Sequence, residues 1–163
     1  MLMVTKMKIR YVHADATIPQ IEGNVVIAHV CNDLGRWGKG FVVALSQRWP
    51  EAEQAYRRWY RQGGDPSFEL GEVQFVQVYP TLWVANMVAQ EGLYPRKGVA
   101  PIRYRAVHRC LAQVAAFAQE HSAVVQMPRI GCGLAGGRWE EIESLITETL
   151  GVVGIDVIVC DWP

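Results

Sequence analysis

Residues 127–139 read Met127-Pro128-Arg129-Ile130-Gly131-Cys132-Gly133-Leu134-Ala135-Gly136-Gly137-Arg138-Trp139, and they are the most informative part of this sequence. The apolar run 123–125 leads into it and an amphipathic segment follows it, so the order is strand, glycine-rich loop, helix. Its glycines let backbone N–H groups approach an anion without Cβ interference, and the helix start adds a partial positive charge. The stretch therefore predicts a phosphate-binding loop, with an ordinary tight connection between strand and helix as the alternative.

A second loop of the same kind occurs earlier, His29-Val30-Cys31-Asn32-Asp33-Leu34-Gly35-Arg36-Trp37-Gly38-Lys39-Gly40-Phe41. Two amide-rich loops facing one crevice suit a diphosphate better than a single phosphate. Asn32 could hydrogen-bond a sugar hydroxyl, and Arg36 and Lys39 could add positive charge. Trp37 could stack on a ligand or act as a lid. The alternatives are a Trp37 that folds onto the core and a Lys39 that is only a solvated surface residue.

The rest of the chain alternates strands with helices. The predicted strands are 8–13, 24–31, 71–79, 82–89, 123–127 and 155–160, and the predicted helices are 41–49, 51–62, 101–120 and 139–150. Pro80-Thr81 would join the third and fourth strands in a hairpin. Helices between buried strands predict an α/β fold, a three-layer α/β/α sandwich with a mixed central sheet. Ligands bind beyond the carboxyl ends of the strands in such sheets, and both glycine loops lie there.

Length and composition predict one domain over residues 1–163, with residues 1–6 as a disordered or additional N-terminal extension. The sequence has 16 basic and 16 acidic residues, a balance that argues against a protein that depends on bulk nucleic-acid electrostatics. The four cysteines are widely spaced and form no Cys-x-x-Cys pair, so we expect free thiols and no metal site. Without an apolar run of about 18 residues or a signal peptide, we expect a cytoplasmic monomer with no membrane attachment and no cofactor.

The sequence resembles the macro domains, which bind ADP-ribose. The resemblance covers nearly the whole chain and includes His13-Ala14-Asp15-Ala16-Thr17, the segment 27–41 and Arg48-Trp49-Pro50-Glu51-Ala52. The Met-Pro-x-Ile-x-x-Gly-Leu pattern at 127–134, followed by Trp139, is similar to the branch containing ADP-ribose-1″-phosphate phosphatases and terminal ADP-ribose protein glycohydrolases. The resemblance implies that ADP-ribose or ADP-ribose-1″-phosphate is the ligand, free or as part of an ADP-ribosylated protein or nucleic acid.

The resemblance also implies roles for particular residues. Asp15, beside Ala16, matches the acid that accepts a hydrogen bond from the adenine amino group; without the resemblance it would be interpreted as a turn or cap residue. Asn32 matches the asparagine beside the distal ribose, and Trp162 is the candidate that stacks on adenine. The other candidate ligand-binding residues lie in the two loops: Gly35, Trp37, Gly38, Lys39, Gly40, Phe41, Pro128, Ile130, Gly131, Cys132, Gly133 and Leu134.

Glycohydrolases of this branch use a lysine and an aspartate that follows Gly-Cys-Gly-Leu. This chain has Ala135 there and no lysine in the segment 84–90, so the Lys–Asp covalent mechanism lacks both participants. His29 matches a histidine of the phosphatases that could act as nucleophile or general acid, with Asp33 orienting a water. The sequence therefore favours a hydrolase, a metal-independent ADP-ribose-1″-phosphate phosphatase. The alternatives are a non-catalytic ADP-ribose reader, an ADP-ribosyl hydrolase with another mechanism, and a His29 that only orients Asn32 or satisfies a core hydrogen bond.

Overall fold

The computed structural model describes residues 7–161, so the predictions for residues 1–6 and for Trp162 lie outside the described part. The strands are β1 (Ile9–His13), β2 (Val25–Asn32), β3 (Val73–Tyr79), β4 (Leu82–Gln90), β5 (Val124–Met127) and β6 (Val157–Asp161). The helices are α1 (Phe41–Arg48), α2 (Pro50–Gln62), α3 (Tyr104–Glu120) and α4 (Trp139–Thr149), and a 3₁₀ turn follows at Gly151–Val153. Each predicted strand and helix is present.

The strands form one mixed sheet in the order β1-β6-β5-β2-β4-β3. All neighbours are parallel except β3 and β4, which form the predicted antiparallel hairpin. Strands β5 and β2 lie next to each other in the middle of the sheet. The two glycine loops, which follow these two strands, therefore leave the same edge of the sheet side by side.

Helices cover both faces of the sheet, which confirms the three-layer α/β/α sandwich. Successive residues of a strand point to opposite faces. Val26 accordingly packs in the cluster that contains the buried residues of α3 and α4, and its neighbour Ile27 packs with those of α1 and α2. No helix within residues 7–161 combines the length and the apolar character needed to cross a membrane.

The start of α3 differs from the prediction. The helix begins at Tyr104 rather than at 101, because residues 101–103 run along the end of β4 instead. The N–H of Arg103 donates to the carbonyl of Ala89 at 2.9 Å, and the N–H of Ile102 donates to the carbonyl of Ala135 at 3.1 Å. Tertiary hydrogen bonds thus replace a first helical turn, and they attach the segment between β4 and α3 to the second glycine loop.

Candidate ligand-binding site

The first glycine loop is held from below by Asn32, the last residue of β2. Its buried side-chain Oδ1 accepts hydrogen bonds from the N–H groups of Leu34 at 3.0 Å and Arg36 at 3.2 Å, and its Nδ2 donates to the Arg36 carbonyl at 2.7 Å. The hydroxyl of Tyr56 donates to the Asn32 carbonyl at 2.6 Å. Asn32 therefore organises the loop from inside. The ribose contact that the sequence predicts for it stays a prediction.

The loop ends at the uncapped start of α1. Gly40, the N-cap residue, has φ 83° and ψ −142°, a combination that is essentially restricted to glycine. Among the described residues no side chain caps this helix, and its first turn contains no acid. A Cβ placed on Gly38 or Gly40 would meet nothing within 4 Å, so the backbone just before the helix start borders open space. Such a helix start binds anions. Lys39 between these glycines is exposed.

In the second loop, some glycines serve packing and others leave space. A Cβ on Gly131 would lie 2.8 Å from Cδ1 of Ile102, and one on Gly137 would lie 2.5 Å from the Gly131 carbonyl oxygen. A Cβ on Gly133, in contrast, would meet nothing within 4 Å, and the neighbouring Leu134 is 67% exposed. The second loop is therefore tightly folded on its inner side and open around Gly133.

The remaining predicted residues of the second loop differ in burial. Ile130 is buried in the core between half-buried Pro128 and the loop glycines, so only its backbone could serve a ligand. The thiol of Cys132 donates to the Ile130 carbonyl at 3.4 Å. Partial burial raises the pKa of this thiol, which makes it a weak nucleophile at neutral pH.

Asp15 forms the turn that the sequence predicts as its alternative role. Its Oδ1 accepts hydrogen bonds from the N–H of Thr17 at 2.9 Å and from its hydroxyl at 2.7 Å. The other carboxylate oxygen, Oδ2, lies 3.9 Å from a guanidinium nitrogen of Arg48. One oxygen thus shapes the turn after β1. A second oxygen remains as the acceptor that an adenine amino group would need.

The sequence reasoning missed Gln126, a completely buried glutamine in β5. Its Nε2 donates to the carbonyls of Ala16 and Ile18, both at 2.8 Å, and its Oε1 accepts from the N–H of Gln20 at 3.0 Å. These bonds fix the segment that follows Asp15, including the predicted ligand residue Ala16. The signal for this role was a single polar residue in an apolar strand, because a buried amide requires partners.

His29 is buried on β2 between the sheet and α1. Its Nε2 lies 2.5 Å from Oδ1 of Asn86, and its Nδ1 has no hydrogen-bond partner among the described residues. The imidazole centre is 5.3 Å from the ring of Trp37 and 5.9 Å from that of Phe41. Burial lowers the pKa of His29 to about 4, so the ring is neutral at pH 7. This environment favours the alternative in which His29 satisfies a core hydrogen bond.

Asn86, which the sequence reasoning also missed, fixes the orientation of this histidine. Its Nδ2 donates to the carbonyl of Ala52 at 3.2 Å and to Oε1 of Gln74 at 3.0 Å. The amide oxygen therefore faces His29, and the histidine proton must be on Nε2. Asn86 lies in the segment 84–90, where the resemblance led us to look for a lysine, and here that segment contributes to the core.

Trp37 takes the alternative position considered from the sequence. The ring is only 8% exposed, and its Nε1 donates to the carbonyl of Val42 at 3.0 Å. The Tyr56 ring lies 5.5 Å away. Trp37 therefore anchors the first glycine loop to the core, and its faces are occupied by protein side chains.

Asp33, the second candidate catalytic residue, lies where the first loop meets the segment after β4. Its Oδ1 accepts a hydrogen bond from the N–H of Gly92 at 2.9 Å, and its own N–H donates to the carbonyl of Gln90 at 2.9 Å. The side chain is half-buried at the carboxyl end of β2. Asp33 thus places a carboxylate at the crevice edge, on the side of β4.

The strand order arranges these groups in a line along one edge of the sheet. Asp15 follows the edge strand β1, the second glycine loop follows β5, the first follows β2, and Asp33 faces β4. A ligand lying across this edge would meet a carboxylate, two amide-rich loops and a second carboxylate in turn. The structure thus brings together the two loops and both predicted acids, while His29 and Trp37 lie beneath them.

Comparison with known proteins found solved structures that are similar to this chain. No protein-family model matches the chain. A structure from Bacteroides thetaiotaomicron is 53% identical, with a TM-score of 0.91 over 95% of this chain and 98% of that one. The structure of a macrodomain protein from Streptomyces coelicolor is 52% identical, with a TM-score of 0.82 over 94% of this chain and 99% of that one.

Two curated relatives are more distant. The Chromodomain-helicase-DNA-binding protein 1-like of Mus musculus is 31% identical over 95% of this chain, which spans only 18% of that protein's length. The ADP-ribose 1″-phosphate phosphatase of Meyerozyma guilliermondii is 23% identical over 93% of this chain and 99% of its own length.

Proposed function

The chain belongs to the macrodomain family, and we propose that it binds ADP-ribose across the carboxyl ends of its parallel strands. The observation that carries the proposal is the pair of glycine loops that leave the adjacent strands β2 and β5 beside the uncapped start of α1. Backbone N–H groups at such a helix start suit a diphosphate, which carries negative charge but needs no side-chain partner.

The groups at the two ends of the crevice suit the two ends of this ligand. Oδ2 of Asp15 is available to accept a hydrogen bond from the adenine amino group, because the turn uses only Oδ1. Asn32 and Asp33 lie at the other end, where a distal ribose would present hydroxyl groups. Trp162, the candidate for stacking on adenine, belongs to this proposal as a sequence prediction.

Calorimetric titration of the full chain with ADP-ribose tests the proposal, and Asp15→Asn makes the test specific. Asparagine can keep the turn through its oxygen, but it would present an N–H₂ donor where adenine also donates. We expect the affinity for ADP-ribose to fall about tenfold or more, and that for inosine diphosphate ribose, which has an acceptor there, to be maintained or to rise.

Asp156→Asn, at the opposite end of the sheet, is the matched control and should bind both ligands as the wild type does. Absence of ADP-ribose binding by the wild-type chain would contradict the proposal. An equal loss for both ligands in Asp15→Asn would contradict only the role of Asp15.

A second candidate function is hydrolysis of ADP-ribose-1″-phosphate. The yeast relative's name favours it, and so does the carboxylate of Asp33 at the crevice edge. In this scheme Asp33 takes a proton from a water that attacks phosphorus. The bond between phosphorus and the C1″ oxygen breaks, this oxygen takes up a proton from solvent water, and ADP-ribose and inorganic phosphate are released. The loop N–H groups would stabilise the charge of the transferred group.

His29 has a different role in this proposal from the one predicted from the sequence. Its ring is enclosed by Trp37, Phe41 and Asn86 and is neutral at pH 7, which leaves it poorly placed to attack phosphorus. We assign it to positioning: it supports the two aromatic side chains that anchor the first glycine loop.

Phosphate release from ADP-ribose-1″-phosphate by Asp33→Asn and by His29→Gln tests these roles. Both variants can keep their structural hydrogen bonds, to the Gly92 N–H and to Asn86 respectively. We expect Asp33→Asn to lose about 100-fold or more in kcat while still binding ADP-ribose, and His29→Gln to change kcat by less than about tenfold. The opposite ranking would restore His29 as the reacting group. A wild-type chain that binds but releases no phosphate would be a reader module.

An ADP-ribosyl hydrolase without the Lys–Asp pair is the remaining alternative. Ala135 is 5% exposed and Asn86 is completely buried, so neither position offers a reacting group to the crevice. In this alternative Asp33 would again supply the carboxylate for catalysis. Release of ADP-ribose from a modified protein, measured in the same Asp33→Asn variant, tests it. The cytoplasmic location and the monomeric state belong to the proposal as predictions that fractionation and sedimentation would check.

A further inference from the structure

The segment between β4 and α3 forms a surface beside the crevice that the proposed function does not use. Exposed side chains of both apolar and basic character gather on it. We name it the β4–α3 surface and define it by Tyr94, Arg96, Lys97, Val99 and Arg105. Tyr94 is 76% exposed and Val99 is 57% exposed, which are high values for an aromatic and a β-branched residue in a folded domain.

The β4–α3 surface is held rigidly. The N–H of Arg96 donates to the carbonyl of Val99 and the reverse bond also forms, both at 3.0 Å, so 96–99 is a tight two-residue hairpin turn. Lys97 at its tip has φ 52°, a left-handed conformation that is uncommon for lysine. The guanidinium of Arg103 donates to the carbonyl of Ala100 at 2.6 Å from inside the segment. The backbone at the tip is therefore held in a defined conformation.

A shallow cavity of about 410 Å³ opens at this surface. Its walls include the aliphatic side chains of Val99, Ala100 and Ile102, the ring of Tyr104, and Gly136 of the second glycine loop. The side chains of Arg103 and Arg105 also line it. An aliphatic pocket with a basic rim suits an apolar side chain that has acidic neighbours.

The positive charge of the surface is uncompensated. Arg103 pairs with Glu91 at 3.0 Å, whereas Arg96, Lys97 and Arg105 form no ion pair within residues 7–161. Three cations therefore remain on the β4–α3 surface, and the only acid of residues 91–103 is already paired, although the whole chain has a formal net charge of zero. A local field of this kind selects acidic partners.

The position of the surface connects it to the ligand. Strand β4 lies next to β2 on the side away from β5, β6 and β1. A ligand with adenine at Asp15 and its diphosphate on the two glycine loops would therefore direct its distal ribose towards β4. Asp33 binds the N–H of Gly92 in this direction, and Ile102 binds the carbonyl of Ala135. Whatever is attached to the distal ribose would meet the β4–α3 surface.

We propose that the β4–α3 surface binds an acidic polypeptide segment to which ADP-ribose is attached, with an aliphatic side chain of the segment in the cavity and its carboxylates on Arg96, Lys97 and Arg105. The inference rests on the proposed ADP-ribose site. A polypeptide fits better than a single-stranded nucleic acid, because the cavity walls are mainly aliphatic and lack the series of stacking rings that bases require.

The test compares free ADP-ribose with ADP-ribose attached to synthetic peptides, by calorimetry on the full chain. One peptide has a leucine and three glutamates beside the modified residue, a second has glutamines in place of the glutamates, and an ADP-ribosylated single-stranded oligonucleotide is the third probe. We expect the acidic peptide to bind about tenfold or more tightly than free ADP-ribose, and the advantage to shrink with rising salt.

The double variant Lys97→Asp with Arg105→Glu should remove most of this advantage while leaving the affinity for free ADP-ribose within about twofold. Aspartate is chosen at position 97 because it tolerates positive φ. Arg10→Glu with Arg58→Glu changes the net charge equally at exposed positions outside the surface, and should keep the advantage.

The outcomes separate a failure of the proposed ADP-ribose site from a failure of the inference about the β4–α3 surface. Failure of the wild type to bind free ADP-ribose would remove the proposed function. Binding of free ADP-ribose without any gain from the acidic peptide would overturn the inference alone. The inference would also be overturned by equal binding of the glutamine peptide, by tighter binding of the oligonucleotide, or by an equal loss in both double variants.

Discussion

His29 should make the stability of this protein depend on pH between pH 6.5 and 4. Burial lowers its pKa from an ordinary value of 6.5 to about 4 in the folded protein. Between these values the unfolded chain binds a proton that the folded protein does not bind, so the free energy of unfolding falls as the pH falls. Each pKa unit corresponds to about 1.4 kcal/mol, and the full effect is therefore about 3 kcal/mol.

The neighbouring titratable groups do not contribute in this range. Cys31 lies 3.8 Å from Nε2 of His29, and burial raises the pKa of its thiol well above the ordinary value. Tyr56, in the same apolar cluster, also has a pKa raised by burial. Both groups are neutral across acidic pH, so the pH dependence of this cluster arises from the imidazole.

Urea denaturation of the wild type and of His29→Gln at pH 7.5, 6.0 and 4.5 measures the effect. Glutamine can donate to Asn86 but does not titrate, so the carboxylates elsewhere affect both proteins equally. We expect the stability of the wild type relative to the variant to fall by about 2–3 kcal/mol between pH 7.5 and 4.5. Parallel stabilities over this range would refute the reasoning, because they would mean that His29 becomes protonated in the folded protein as easily as in the unfolded chain.

Four further substitutions test the parts that hold the site. Gly131→Ala should lower the free energy of unfolding by about 1–3 kcal/mol, because its Cβ would lie 2.8 Å from a buried isoleucine at φ 71°, whereas Gly133→Ala should change it by less than about 1 kcal/mol. Urea denaturation of the two glycine variants measures this difference, and equal losses of unfolding free energy would contradict it. Gln126→Leu should cost about 1–3 kcal/mol, since two carbonyls after β1 would lose their donor. Tyr56→Phe should cost about 1–2 kcal/mol by removing the hydroxyl that donates to Asn32, and proteolysis within the first glycine loop should become faster than in the wild type.

The elements of this fold were predictable because their periodicity is strong. Strand β2 is apolar along most of its length, as expected for a parallel strand covered on both faces, and α2 starts at Pro50 where proline suits a first turn. The start of α3 was not predictable to the residue. Residues 101–103 have hydrogen-bond partners at Ala89 and Ala135, and partners so distant in sequence have no local signal.

The candidate site was likewise predictable in part. The spacing of the glycines predicted both loops, because a backbone that approaches an anion closely requires glycine, and glycine is visible in the sequence. The roles of His29 and Trp37 depended instead on which way each side chain points. A histidine within an apolar strand can serve a crevice or the core, and the choice follows from Asn86, which is 57 positions away. Asn86 itself is a polar residue in an apolar strand. This pattern indicates that the side chain needs a hydrogen-bond partner, but it does not identify that partner.

Position 86, within the segment 84–90 where the resemblance implies a lysine, could not supply a reacting lysine to this crevice. A lysine there would need to bury its ammonium in a completely enclosed place, because Asn86 is 0% exposed and its amide is shared among His29, Ala52 and Gln74. An uncompensated buried cation costs several kcal/mol. Asn86 can instead donate and accept at once, and it satisfies the imidazole that supports the first loop. Substitution Asn86→Lys should therefore destabilise the chain rather than create a glycohydrolase.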